Sequence, residues 1–173
     1  MTIKEAMKSF FERQKDLYMG TFGTLPTVPY SRSADSSLYV GEPDEDEEIQ
    51  WMYSEAKRIE IDGLSTELTD FYSSYYYWEL RGHQNNTSYY FPHVINMDEA
   101  VRTAEFALER GKELFPEENN AVIAYCKISE NDGLILVYNQ DDSSLFIYDC
   151  EVCDRFLCDN TLTETISLME AII

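Results

Sequence analysis

Cys150, Cys153 and Cys158 stand in a C-x2-C-x4-C pattern, a spacing that could place thiolates around a metal ion. A structural zinc site normally takes four Cys or His ligands, and the remaining candidates are distant. His83 and His93 lie far upstream, and Cys126 falls inside an apolar, strand-like run. Buried thiols in a reducing compartment are the simpler reading, so no bound metal is expected. With 33 Asp and Glu residues, chance carboxylate pairs suited to acid–base work are inevitable and point to nothing. The acids at 44–48 lack the spacing and the glycine of an EF-hand loop. The chain contains no G-x-S-x-G, P-loop, G-x-G-x-x-G or H-E-x-x-H motif, and no catalytic residues are expected.

The charge balance points to a different chemistry. Thirteen Lys and Arg against 33 acids give a net charge of −20. Residues 42–48 hold six acids in seven positions, and from Glu130 onward ten acids face one base, Arg155. Such a field opposes compaction and attracts cationic proteins. The candidate partner-binding residues are therefore Glu42, Asp44, Glu45, Asp46, Glu47 and Glu48, together with Asp141, Asp142, Asp149 and Glu151, and the expected partner is a basic protein. The plainer alternative is a solvated hairpin tip whose charge serves solubility. A basic footprint for nucleic acid is missing, which argues against direct phosphate binding.

A second candidate surface is aromatic. Residues 71–78 run Phe-Tyr-Ser-Ser-Tyr-Tyr-Tyr-Trp, and Tyr89-Tyr90-Phe91 follows. On a strand, Tyr75 and Tyr77 share one face, and Tyr76 and Trp78 the other. Trp78 and Leu80 make the second set more apolar, so Tyr75 and Tyr77 are expected to face the partner, where Tyr is a favoured anchor. Tyrosines beside an acidic surface also suit a partner rich in Arg and Lys. Ordinary sheet composition would account for the same residues.

The elements that must position these groups alternate in period. Ile3, Ala6, Met7, Phe10, Gln14, Leu17 and Tyr18 recur at helical spacing, with Gly20 as the expected stop. Residues 21–36, with Pro26, Pro29 and several serines, read as a loop. Short strands are expected at 38–40 and around Ile49, Trp51 and Tyr53, bracketing the acidic run. Residues 55–62 fit either a helical turn or an extended segment. Leu64, Leu68, Phe71 and Tyr72 fit a helix that passes into a strand near Tyr75. Residues 82–87 read as a polar turn, and 88–91 as a returning strand.

Asn96 and Glu99 resemble a capping box for a helix carrying Ala100, Ala104, Ala107, Leu108 and Leu114, ended by Pro116. Strands at 121–128, 134–138 and 144–148 follow, with Asn131-Asp132-Gly133 as a hairpin turn. Thr161 and Glu164 open a closing helix with Leu162, Ile166, Met169 and Ile173 on one stripe. Helices interleaved with hairpins predict an α+β fold in which amphipathic helices flank a mainly antiparallel sheet. At 173 residues, 44% of them hydrophobic, one domain spanning 1–173 is expected. Such a chain buries roughly 70% of its unfolded surface. Charged residues within the first helix exclude a secretory leader, and no run is long enough to cross a membrane, which predicts a cytoplasmic protein.

The chain resembles the Syd family of SecY-interacting proteins and, through it, the SUKH superfamily of bacterial immunity proteins. The likeness rests on Ala6-Met7-Lys8-Ser9-Phe10, Pro29-Tyr30, Ile49-Gln50-Trp51, the segment 55–61 and Phe71-Tyr72. The apolar strand at 121–128 and the final helix with Leu162, Ile166 and Met169 extend it over nearly the whole chain. The resemblance implies helices around a central sheet, no cofactor and a protein-binding groove. It also implies a cationic partner: a toxin domain, often a nuclease, for SUKH relatives, or the cytosolic loops of SecY for Syd. The second would place the protein at the periphery of the inner membrane without insertion. A shorter segment between Trp51 and Glu55, the tyrosine block and the acidic C-terminal third depart from Syd and favour a toxin.

Overall fold

Thr2 caps the first helix through a reciprocal capping box with Glu5, and α1 (Ile3–Phe22) buries Ile3, Ala6, Met7, Phe10, Phe11 and Gln14 along one side. The computed structural model describes residues 1–173. The helix passes Gly20 and stops at Gly23, whose φ of 71° is the left-handed cap that the last turn requires. Within the stretch read as a loop, β1 (Thr27–Pro29) pairs with β3 (Glu48–Trp51), which also pairs with β2 (Tyr39–Val40) after a 3-10 turn. The segment at 55–62 is largely extended, beginning with β4 (Ser54–Glu55). Ser65 caps α2 (Thr66–Ser74), and the chain runs from it directly into β5 (Tyr75–Tyr76), the expected passage from helix to strand.

The main sheet has seven strands in the order β11-β10-β9-β8-β7-β6-β12, every pair antiparallel. Five of its strands are β6 (Leu80–Gln84), β7 (Thr87–Phe91), β8 (Asn120–Ile128), β9 (Asn131–Asn139) and β10 (Leu145–Asp149). The edges are β11 (Asp154–Leu157) and β12 (Glu170–Ala171), neither of which the sequence pattern predicted. Two turns fall elsewhere than expected. Asn85 and Asn86, not 82–87, join β6 to β7, and Ser129-Glu130 joins β8 to β9, leaving Asn131-Asp132-Gly133 inside β9. Gly82 is a strand residue for a packing reason: a Cβ there would meet the Glu170 carbonyl oxygen at 2.8 Å and Met169 Cβ at 2.9 Å.

Asn96 caps α3 (Met97–Leu114) by accepting the Glu99 N–H at 2.7 Å, while the Glu99 carboxylate turns to His93 instead of completing the box. Ala100, Ala104, Ala107 and Gly111 form its buried stripe. These small residues let α3 lie close to β8, since a Cβ on Gly111 would overlap the Asn120 carbonyl oxygen. Thr161 caps α4 (Leu162–Leu168), which ends earlier than the stripe suggested and leaves Ile173 half-exposed. Arg13 of α1 donates to the carbonyls of Ser167 and Met169 at 2.9 and 3.0 Å, fastening α1 to α4.

A single cluster of 37 buried residues takes side chains from all four helices and from both the small and the main sheet, so the α+β chain folds around one core. A smaller apolar cluster, Phe115, Ile135, Val137 and Phe146, lies on the other face of the main sheet. No helix is long and apolar enough to cross a membrane.

Candidate protein-binding surface

The acidic run forms the tip of the β2–β3 hairpin, where Tyr39 opposes Trp51 and Val40 opposes Gln50. Asp44 builds that tip. Its Oδ1 accepts the N–H groups of Asp46 and Glu48 at 3.0 and 2.9 Å, and its own N–H donates to the Glu48 carbonyl at 2.9 Å. The Glu47 carbonyl accepts the Tyr30 N–H at 2.8 Å, tying the loop to the β1 end of the small sheet. Asp44 is therefore a loop-forming acid first and a contact candidate second, and Glu48 is half-buried in β3. The carboxylates of Glu42, Glu45, Asp46 and Glu47 are exposed, and none of the nine ion pairs in the molecule includes a residue of 42–48.

The C-terminal acids divide between two turns. Asp141 and Asp142 follow β9, whereas Asp149 ends β10 and Glu151 follows it, about 14 Å away along that strand. Asp142 accepts the Ser144 N–H at 2.9 Å, and that bonding to Ser144 lowers its pKa. Asp149 is buried: it accepts Asn131 Nδ2 at 3.0 Å and the Glu151 N–H at 2.9 Å, which holds its pKa down. Its carboxylate is committed to shaping the turn, which corrects its assignment as a contact residue. The 42–48 loop belongs to the small sheet, whereas the C-terminal acids lie at two turns of the main sheet.

Tyr75 and Tyr77 do not face a partner. Tyr75, Tyr76 and Tyr77 are 4%, 2% and 1% exposed, because both sides of this segment are covered. On one side Tyr75 meets Tyr53 edge-on at 5.0 Å, and Tyr77 packs against Phe11 at 5.4 Å. On the other, the chain at Lys57 closes over Tyr76, whose hydroxyl accepts the Lys57 N–H at 3.3 Å. Tyr77 also exchanges backbone hydrogen bonds with Val94 at 2.7 and 3.0 Å. Trp78, assigned to the apolar set, is the half-exposed member of the block.

The exposed aromatics lie elsewhere. Arg81, Tyr90, Tyr125, Ile135, Tyr148 and Arg155 oppose one another in a row across six strands. Tyr90 and Tyr125 are 36% and 60% exposed and border a hollow of ≈ 270 Å³ with Trp78 and His93. Alternation within Tyr89-Tyr90-Phe91 gave Tyr90 an outward option; Tyr125 sits in an apolar run with no such signal. Along the free sheet edge, Phe156 and Leu157 are 52% and 79% exposed. Neighbouring Arg155 grips Glu118 with two bonds of 2.9 Å and lies over Phe146 and Phe115, which lowers the Glu118 pKa. Cys150 and Cys153 are exposed on the β10–β11 turn, against the expectation of burial, while Cys126 is buried and Cys158 half-buried. No protein-family model matches the chain, and no curated protein sequence matches it.

Proposed function

We propose that this chain is a non-catalytic, acidic protein-binding module of the Syd and SUKH kind, acting as an immunity protein that covers the basic face of a cognate toxin. The observation that carries the reading is the 42–48 hairpin tip. Four exposed carboxylates are held on an ordered turn by Asp44, and none is answered by a cation of the same chain. Uncompensated charge on a fixed scaffold accelerates encounter with a basic surface. A nuclease must attract phosphate, so its active face offers that charge, and an acidic cover competes for the same field.

The test starts from the gene immediately upstream: where it encodes a toxin domain, association kinetics are measured with that domain. Replacing Glu42, Glu45, Asp46 and Glu47 by Gln or Asn, with Asp44 kept, should slow association by about tenfold at low salt and little at high salt. Unchanged association at low salt would reduce the loop to a solvated turn. Tight binding to SecY cytosolic loops, with none to the toxin, would assign the Syd-type role instead.

A further inference from the structure

β11 (Asp154–Leu157) is a free edge of the seven-stranded sheet, paired with β10 alone. Two backbone bonds fix the direction of every group along it. The Asn139 N–H donates to the Ser144 carbonyl at 2.9 Å, so Ser144, Phe146 and Tyr148 bond toward β9. The Cys158 N–H donates to the Leu145 carbonyl at 3.0 Å, so Asp154, Phe156 and Cys158 bond toward β10. Arg155 and Leu157 therefore point their N–H and C=O groups away from β10, where no strand receives them. Natural edges are usually bulged, very short, or guarded by Lys or Pro. β12, at the other edge, has two residues. β11 keeps regular register over four, without Lys or Pro, and exposes Phe156 and Leu157 at 52% and 79%. Its one base is turned back: Arg155 lies over Phe115 and Phe146 and holds Glu118 with two bonds of 2.9 Å.

An edge with idle backbone groups and bare apolar side chains is completed by an added strand, whose main chain gives affinity and whose side chains give specificity. The charge around β11 selects that strand. Glu151, Asp154 and Asp159 are exposed at its ends, and none is in an ion pair. We propose that β11 receives an extended, basic segment of the protein partner as an eighth, antiparallel strand of the main sheet. This deepens the reading of a basic partner and rests on it. Arg155 and Leu157 each exchange both backbone bonds with the incoming segment. Its residue opposite Phe156 stands on the core side of the sheet, because Phe156 opposes the core residue Ile147. There a hollow of ≈ 280 Å³ is lined by Tyr89, Ile147 and Phe156, and Asp159 is its one charged residue. A Lys or Arg suits that place, its stem along Phe156 and its charge at Asp159. A second copy is the poorer occupant, since it brings another −20 and the same acids to the same edge.

The probe is the peptide acetyl-Lys-Val-Lys-Val-Lys-Val-amide, added to the whole chain and followed by residue-resolved amide hydrogen exchange. In the free protein the amides of Arg155 and Leu157 should exchange fast and that of Phe156 slowly. Saturating peptide should slow Arg155 and Leu157 by about tenfold or more and leave Phe156 nearly unchanged, the alternation that strand addition produces. The same peptide with Glu for Lys should bind at least about tenfold more weakly. Leu157→Pro removes one outward N–H at a place where an edge strand accepts proline. It should lower affinity by about tenfold or more, with the melting temperature within about 4 °C. If that variant melts earlier, the alternation in the unaltered chain still decides. Peptide that leaves both amides fast, equal binding of the two peptides, or undiminished binding to a folded Leu157→Pro would each overturn the proposal. So would slow exchange at Arg155 and Leu157 that appears without peptide as protein concentration rises, which assigns the edge to a second copy. Toxin association that ignores the 42–48 charges defeats the functional reading and leaves these amides untouched, so the two failures are distinguishable.

Discussion

Tyr75–Tyr77 and the pair Tyr90/Tyr125 contain the same side chain on the same kind of backbone, yet the first group is sealed and the second is open. The difference lies in how many faces of each strand are covered. The β5 segment runs between α1 on one side and the 54–59 chain on the other, so alternation cannot deliver a tyrosine to solvent. At Tyr90 and Tyr125 the helices α1, α2 and α4 occupy only the opposite side. The smaller outer cluster, under Phe115, reaches Val122 of β8 and Ile135 opposite Tyr125 but leaves the two tyrosine rings open. Exposure is thus a property of the layers, and residue type follows it loosely.

The largest effect that would sharpen this contrast is at Tyr77. Tyr77→Ala should cost about 3–5 kcal/mol in urea unfolding, as expected for a fully buried large aromatic. A loss below about 1 kcal/mol would mean that the block is less sealed than its burial indicates.

Tyr53 stands between the two groups. It stacks on Phe11 at 5.1 Å and donates its hydroxyl to Glu12 at 2.5 Å, which holds the Glu12 pKa below its ordinary 4.5. A depressed carboxylate stabilises the fold above its ordinary pKa and loses that contribution as pH falls through the folded value. Glu12 is partly exposed, so Tyr53→Phe should cost only about 1 kcal/mol at neutral pH. The cost should shrink as Glu12 protonates, which parallel urea titrations at neutral and strongly acidic pH would detect. A loss that stayed constant with pH would assign it to packing.

The smallest effect belongs to Tyr125. Tyr125→Ala should change stability by no more than about 0.5 kcal/mol, as at other exposed sites. A loss of about 2 kcal/mol or more in the same unfolding assay would show the outer face to be part of the folding core.

Much of the fold was legible because it is local. Asn96 and Thr161 mark two helix starts with short polar side chains, and each does accept a helix N–H; Thr2 and Ser65, not read as caps, do the same for α1 and α2. The helix-to-strand passage at Tyr75 was visible where period 3.6 gives way to period 2. The edge strands were not legible: β12 is two residues long, and β11 is exposed on every residue and carries no alternation. The β8–β9 turn was misplaced because Ser129, with φ of 52°, turns although the Asn-Asp-Gly signal begins two residues later. The acids of the 42–48 loop were evident as a cluster, but the role of Asp44 depends on backbone geometry. Tyr125 is 60% exposed within an apolar run, and no local pattern announces it.

The clasp of α1 on α4 has a consequence for the order in which the molecule is made. Arg13 reaches acceptors 154 and 156 residues downstream, and α1 also packs on β12. On a ribosome adding about 5–20 residues per second, those acceptors are made roughly 8–30 s after the helix. Strands β6 to β11 can pair in turn with their immediate predecessors during that interval, while the apolar side of α1 waits without its final cover. Until then Phe10, which meets Met169 beside Gly82, lacks that cover, whereas Phe11 is already packed by Tyr53, Tyr75 and Tyr77. The α4–β12 segment is the latch that closes over α1 once it is made.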